Sequence, residues 1–250
     1  MSQTNGKYYP ISYFRRLVTD LVHFAAAVPS GTIERRMDLS RLVAARHACT
    51  PSPTWSAILI KAYALVAART PVLRTSYLNF PWPRFYEHPI NIATLNVDRQ
   101  LAEERVVLQV HIARPETRTL QDLDALIRDF QQQPVENIPA YRTAVRMSHV
   151  PWPIRQFLWW GALNVFGPTR CQHFGTFSIT SLGSQAGILH LAILLTSTLH
   201  HGIIEPSGGL QMRLSFDHRV LDGTTAASAL EELEAVLLGE VLQECTARVR

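Results

Sequence analysis

Residues 213–239 constrain the fold more than any other stretch of the chain. Leu214, Phe216, His218 and Val220 alternate with Arg213, Ser215, Asp217 and Arg219, a period of two that predicts a strand with one apolar face. His218 falls on that face, where desolvation penalises the imidazolium and favours a neutral ring able to act as a base near pH 7. Gly223 supplies a sharp turn after Leu221-Asp222, and Thr224 and Thr225 are the expected N-caps of a helix. Ala226, Leu230, Leu233 and Leu237 form that helix's apolar stripe, Glu231, Glu232 and Glu234 its wet side, and Gly239 its end. The unit is strand, histidine, acidic turn, helix. Composition alone would produce His-x-x-x-Asp-Gly roughly 0.015 times in a chain like this. The competing reading is a core histidine satisfied by a backbone carbonyl, with Asp222 merely capping the helix.

A second alternating segment, Gly175 to Gly183, sets Phe177 and Ile179 on one side and the hydroxyls of Thr176, Ser178 and Thr180 on the other. Taken alone, these hydroxyls describe a solvated strand face as well as they describe a site.

With 250 residues, 47% hydrophobic and 18% charged, the chain suits one sizeable domain: a tail over residues 1–12, a catalytic domain over 13–240 and a second tail over 241–250. A net charge of +4 without a long single-sign run argues against nucleic-acid binding and suits an anionic, phosphate-bearing substrate. Cys49, Cys171 and Cys245 lack metal-ligand or redox spacing, which points to a reducing, cytoplasmic compartment. The N-terminus has no apolar signal core, and the apolar runs near Phe157–Trp160 and Leu189–Leu195 are too short or interrupted to span a membrane. His200-His201 has no third ligand at suitable spacing, so no metal is expected and the pair reads as a loop or strand end.

In order, the pattern predicts a helix over 13–27 carrying Arg15 and Arg16, a strand over 32–39 and a Ser40-capped helix to Ala48. An apolar helix follows from Thr54 to before Pro71, then strands at 75–78, 85–86, 91–97 and 105–112 and a helix from Leu120 to Gln133. The aromatic stretch Pro151 to Phe166 would grip a membrane or a greasy substrate, or serve as a core or subunit-contact helix.

Asp217-His218-Arg219-Val220-Leu221-Asp222-Gly223 resembles the active-site motif of the 2-oxo acid dehydrogenase acyltransferase family and, more distantly, that of chloramphenicol acetyltransferase. Thr176-Phe177-Ser178-Ile179-Thr180 is similar to that family's hydroxyl-bearing segment, and the order around Asn91-Ile92, Glu104–Val107 and Thr119–Leu123 resembles the middle of its catalytic core. The likeness runs from about Tyr13 to Gly239. It implies a two-layer α/β sandwich, a large mixed β-sheet flanked by helices, and an acyltransferase moving groups other than aminoacyl groups. His218 would be the general base and Thr180 the oxyanion donor, with Ser178 and Gly223 supporting. Asp222 would form a structural ion pair with an early arginine, Arg15 or Arg16.

The resemblance further implies a homotrimer in which the histidine of one subunit faces the hydroxyl of its neighbour. No cofactor is tightly bound; a coenzyme A thioester, or an acyl carrier protein, would be the donor to a small-molecule acceptor. The segment between Thr180 and His218 is shorter than in the dehydrogenase enzymes, and no lipoyl domain precedes the core, so a free-standing transferase is expected. The alternatives are a non-catalytic trimeric scaffold and an enzyme that condenses or cyclises a thioester-bound intermediate.

Overall fold

A computed structural model describes residues 6–101, 104–181 and 193–247. In chain order the elements are α1 (Tyr13–Ala25), β1 (Ser30–Asp38), α2 (Ser40–Ala48), α3 (Trp55–Arg69), β2 (Thr75–Leu78) and β3 (Arg84–Glu87). Then come β4 (Ile92–Leu101), β5 (Glu104–Ala113), α4 (Leu120–Gln132), α5 (Pro139–His149), α6 (Trp152–Asn164) and α7 (Gly167–Phe174). The chain closes with β6 (Phe177–Ser181), β7 (Ser197–His201), β8 (Gly209–Asp217), α8 (Gly223–Val236) and α9 (Leu242–Ala247). Side chains set several starts: Ser12, Thr54 and Thr119 each accept a backbone N–H from the turn they precede, satisfying a donor the helix cannot.

Six strands form one mixed sheet in the order β1-β8-β7-β6-β4-β5; β4/β6 and β6/β7 are parallel and the other pairs antiparallel. β2 and β3 form a separate hairpin. The period of two gives the sheet two chemically opposite faces. On one, Leu214 and Phe216 of β8, Leu199, Phe177, Ile179, Leu95 and Val110 join the core beneath α3, α4 and α8. On the other, the register aligns Thr32, Ser215, Thr198, Ser178, Thr94 and His111 in one row across six strands. The next row holds Glu34, Arg213, His200 and Thr180. The mixed sheet flanked by helices is the architecture implied by the sequence.

Several boundaries differ from those the sequence predicts. Leu39, not Ser40, occupies the N-cap of α2, and Asp38 Oδ1 accepts the Ser40 N–H at 3.0 Å instead. Gly239 does not end the last helix: a π-helical turn, Leu237–Val241, carries the chain into α9, where Leu242 and Cys245 are buried and α9 lies against α2. The apolar side chains outweigh the glycine, so residues 241–247 are part of the core rather than a tail. α5 and α7 have no counterpart in the predicted elements. Leu182 and Gly183, predicted to extend the hydroxyl strand, lie outside the described residues, as do residues 1–5 and 248–250 of the predicted tails.

Two histidines are held neutral by the fold. Burial, with Arg170 nearby, lowers His88 to about 4, and its Nε2 pairs with Ser76 Oγ at 2.8 Å. Burial, with His173 nearby, lowers His111 to about 4 as well. Both folded values lie below the ordinary histidine value of 6.5, so the unfolded chain binds protons that the folded chain refuses between these limits. The stability they allow is complete above pH 6.5 and is lost as pH falls toward 4. Thermal denaturation should therefore show a lower Tm at pH 5.5 than at pH 7, reflecting a loss of about 1 kcal/mol of stability per histidine. His111→Gln should remove part of that dependence.

Candidate active site

The chemistry-bearing turn follows from how β8 stops. β8 is interior, paired with β1 on one side and β7 on the other, so Arg213, Ser215 and Asp217 are buried along with the apolar residues between them. Asp217 is fully buried, and its carboxylate takes a fork from the next-but-one residue: Arg219 Nε donates at 2.9 Å and Nη2 at 2.7 Å, with the Arg219 N–H at 3.0 Å. The Val220 and Leu221 N–H groups donate to the Asp217 carbonyl, closing the turn. Arg219 lies over the Tyr77 ring, 4.5 Å from its centroid. His218 therefore leaves the strand: its N–H donates to the Pro29 carbonyl at 2.8 Å, and its ring stands 5.6 Å from that of Phe216.

His218 is solvent-exposed in this chain, not enclosed on the apolar face that strand periodicity predicts. The alternation ends one residue earlier, at Asp217. Asp222 is the N-cap of α8, a position the sequence analysis gave to Thr224 or Thr225; its Oδ1 accepts the Thr225 N–H at 2.7 Å. That bond, then the Thr225 hydroxyl, holds the Asp222 carboxyl below the usual carboxylate range, with His218 contributing at longer range. The expected Asp222–arginine ion pair is not formed among the described residues. Arg15 is exposed on α1, which lies on α5, and Arg16 lies over Tyr13 at 5.0 Å. Gly223 opens α8 without a left-handed φ, and a Cβ there would meet nothing within 4 Å, so the turn does not require glycine.

Thr180 and Ser178 share the polar face of β6, Ser178 buried and Thr180 half-buried. The strand is set by Gly175, whose φ of +86° suits glycine and whose missing Cβ leaves room for Thr94 Oγ1. The Thr176 hydroxyl bonds the Ile92 backbone, locking β6 to β4. Thr180 is level with His200 of β7, which is level with Arg213 of β8. His218 lies five residues beyond Arg213, in the direction opposite to β6. Two strand spacings sideways and about five residues lengthwise put Thr180 and His218 roughly 15–20 Å apart. One chain does not bring them together. His200 and His201 end β7 as predicted; successive strand residues face opposite sides, and among the described residues no cluster of His, Cys, Asp and Glu could hold a metal.

No family model matches the chain, and no curated protein matches it. Solved structures do. The dihydrolipoamide acetyltransferase of Azotobacter vinelandii, studied for the role of a serine, a histidine and an asparagine in its mechanism, superposes with a TM-score of 0.68 at 18% identity, covering 95% of this chain and 94% of its own. The cubic core of a pyruvate dehydrogenase multienzyme complex gives 0.67 at 19% identity, with coverage of 96% and 95%. A chloramphenicol acetyltransferase gives 0.51 at 12% identity, with coverage of 86% and 92%. The chain has the acetyltransferase-core fold. Near-complete mutual coverage means that this fold accounts for almost the whole chain.

Within the acetyltransferase-core fold, sequence reasoning missed Arg170. It is buried in α7, donates to the carbonyls of Tyr77, Leu163 and Leu194 at 2.9 Å each, and is lowered to about 10 by burial, against the pull of Asp217. It remains a cation beside Asp217 and Arg219. Nothing in its sequence context marks it, because its partners are backbone carbonyls, which carry no side-chain signature.

The two aspartates flanking His218 should thus behave differently. Asp217→Ala leaves half-buried Arg219 without its carboxylate, beside the cation of Arg170, and should cost about 2–3 kcal/mol in urea denaturation. Asp222→Ala removes only an exposed cap and should cost distinctly less.

Proposed function

We propose that this protein is a thioester-dependent acyltransferase that works as a homotrimer, with His218 of one subunit and Thr180 of the next forming each site. The supporting observation is the split geometry: one chain presents an accessible imidazole beyond one end of β8 and a half-exposed hydroxyl toward the opposite end of β6. A head-to-tail ring of copies joins one chain's imidazole to its neighbour's hydroxyl, and such contacts close when the rotation closes. The fold shared with the acetyltransferase cores favours this arrangement.

In this reading an acyl-CoA, or an acyl group on a carrier protein, lies with its carbonyl between the two groups. His218 takes the proton from the acceptor's hydroxyl, amine or thiol as that atom attacks the carbonyl carbon. The carbonyl oxygen becomes an oxyanion and accepts a hydrogen bond from Thr180 Oγ1. Collapse breaks the C–S bond, and the departing thiolate takes the proton back from the imidazolium. Asp222 acts through the backbone: it fixes the start of α8 and so the turn that ends at it. Three buried cysteines, none of them in a disulfide, suit a transferase of a reducing, cytoplasmic compartment.

Release of free thiol from a panel of acyl-CoAs, with a panel of acceptors, measures the reaction. His218→Ala should lower turnover by about 10³-fold or more with assembly intact, and Thr180→Ala by about 10²- to 10³-fold. Co-expression of the two dead variants is the sharper test. In randomly mixed trimers about one boundary in four pairs an intact imidazole with an intact hydroxyl, so activity should return to about a quarter of the native level. Undiminished turnover by His218→Ala, or no recovery on mixing, would overturn the proposal.

A further inference from the structure

The outward face of α6 carries no charge. Trp152, Ile154, Phe157, Leu158 and Trp160 are all exposed, Trp152 and Phe157 by about two thirds. The only charged residue of the helix, Arg155, is turned inward to buried Asp20 of α1, whose other oxygen it reaches at 3.4 Å, and to the Val150 carbonyl at 3.1 Å. The loop joining β2 to β3 extends the patch. The Phe80 N–H donates to the Asn164 carbonyl, Arg84 Nη2 donates to the Val165 carbonyl, and the Phe80 ring meets Trp160 edge-on at 5.4 Å. Phe80 and Trp82 are themselves exposed. At 150–250 Å² for each aromatic side chain, about half of it uncovered, the patch is on the order of 700 Å², larger than a typical monomer displays.

The charge along the segment that carries α5 and α6 has one sign. From Asn137 to Ile204 the sequence contains no Asp or Glu across 68 residues, yet it holds four arginines. Arg155 and Arg170 of these are buried; Arg142 and Arg146 are exposed on α5 with His149, at a spacing that puts all three along one side. α5 runs into α6 through Val150 and Pro151, and both helices are fastened to α1, by the Tyr13–His149 ring contact at 4.5 Å and by the Asp20–Arg155 pair. Trp and Phe on helices that carry arginines and no carboxylate match the interfacial layer of an anionic bilayer. A two-fold contact with a second copy would set this cationic surface against itself, and a head-to-tail contact is the alternative that the oligomer mass below tests.

We infer that the protein docks peripherally on anionic membranes, with the aromatic face of α6 and the Phe80–Trp82 loop entering the headgroup layer and the α5 arginines facing lipid phosphates. The inference does not rest on the proposed reaction.

Flotation of the full chain with phosphatidylcholine vesicles, and with mixed phosphatidylcholine and phosphatidylglycerol vesicles, tests it. The native chain should float with the mixed vesicles, at least ten-fold more than with the neutral ones, and salt should weaken this. Phe157→Glu should abolish flotation, and Arg142→Gln with Arg146→Gln should weaken it about five-fold per arginine while leaving the melting curve unchanged. A native chain that stays with neither vesicle would overturn the inference, as would flotation unaffected by Phe157→Glu. So would a fall in oligomer mass, by light scattering, in Phe157→Glu, since the face would then be covered by another copy.

Discussion

The direction of β8 governs where chemistry is available. It runs antiparallel to β7 and, across it, to β6, so a residue past the end of β8 lies beyond the start of β6, whereas Thr180 lies toward the end of β6. The hydrogen bonding of the sheet fixes this separation; no rotamer change closes roughly 15–20 Å. One chain therefore keeps the two groups apart, and a reaction that needed both would be tied to assembly. The apolar face beneath α3, α4 and α8 holds the strands that carry both halves in one rigid frame.

Rigidity at the histidine comes from charge rather than packing. Asp217 is removed from water, which costs free energy unless its oxygens are satisfied, and Arg219 meets them with a planar fork while Arg170 adds a second cation nearby. Arg219 then stacks on Tyr77, and Arg170 binds the Tyr77 carbonyl, so the hairpin, α7 and the end of β8 share one cluster. His218 takes no part in it. The ring is aimed by backbone restraint, through Pro29 and the closed turn, and its edge is left open. Such an arrangement leaves the ring open to solvent.

Periodicity made most of this fold legible. α3, β2 and α4 were visible in their apolar spacing and their capping threonines, and the hydroxyl strand in its alternation. What failed, failed where local rules met tertiary forces. Alternation in Leu214–Val220 predicted a longer strand because Val220 and His218 keep the parity by chance, while the Asp217–Arg219 fork, an i to i+2 contact, ends the strand. Gly239 reads as a helix stop, yet Leu237, Val241 and Cys245 gain more from burial than the glycine loses. Arg170 carries no signal because its hydrogen bonds go to carbonyls. The pairing of His218 and Thr180 across copies that we propose would not be written in one chain's contacts at all.

The Asp20–Arg155 pair inverts the usual economy of a surface helix. A helix on a water-exposed surface ordinarily gains by showing its arginine and hiding its tryptophans, since burying an ion pair is at best neutral against a hydrophobic substitute. Here the arginine is buried and the aromatic side chains are shown. The pair and the Gln156 amide that joins it hold α6 in one rotation about its axis, the one that leaves the outward face free of charge. Rotating the helix to bury Phe157 would expose one ion and strand its partner in the interior, a cost of several kcal/mol that no single aromatic contact offsets. The buried charge thus fixes an apolar surface outward, which makes sense for a face whose partner is not water.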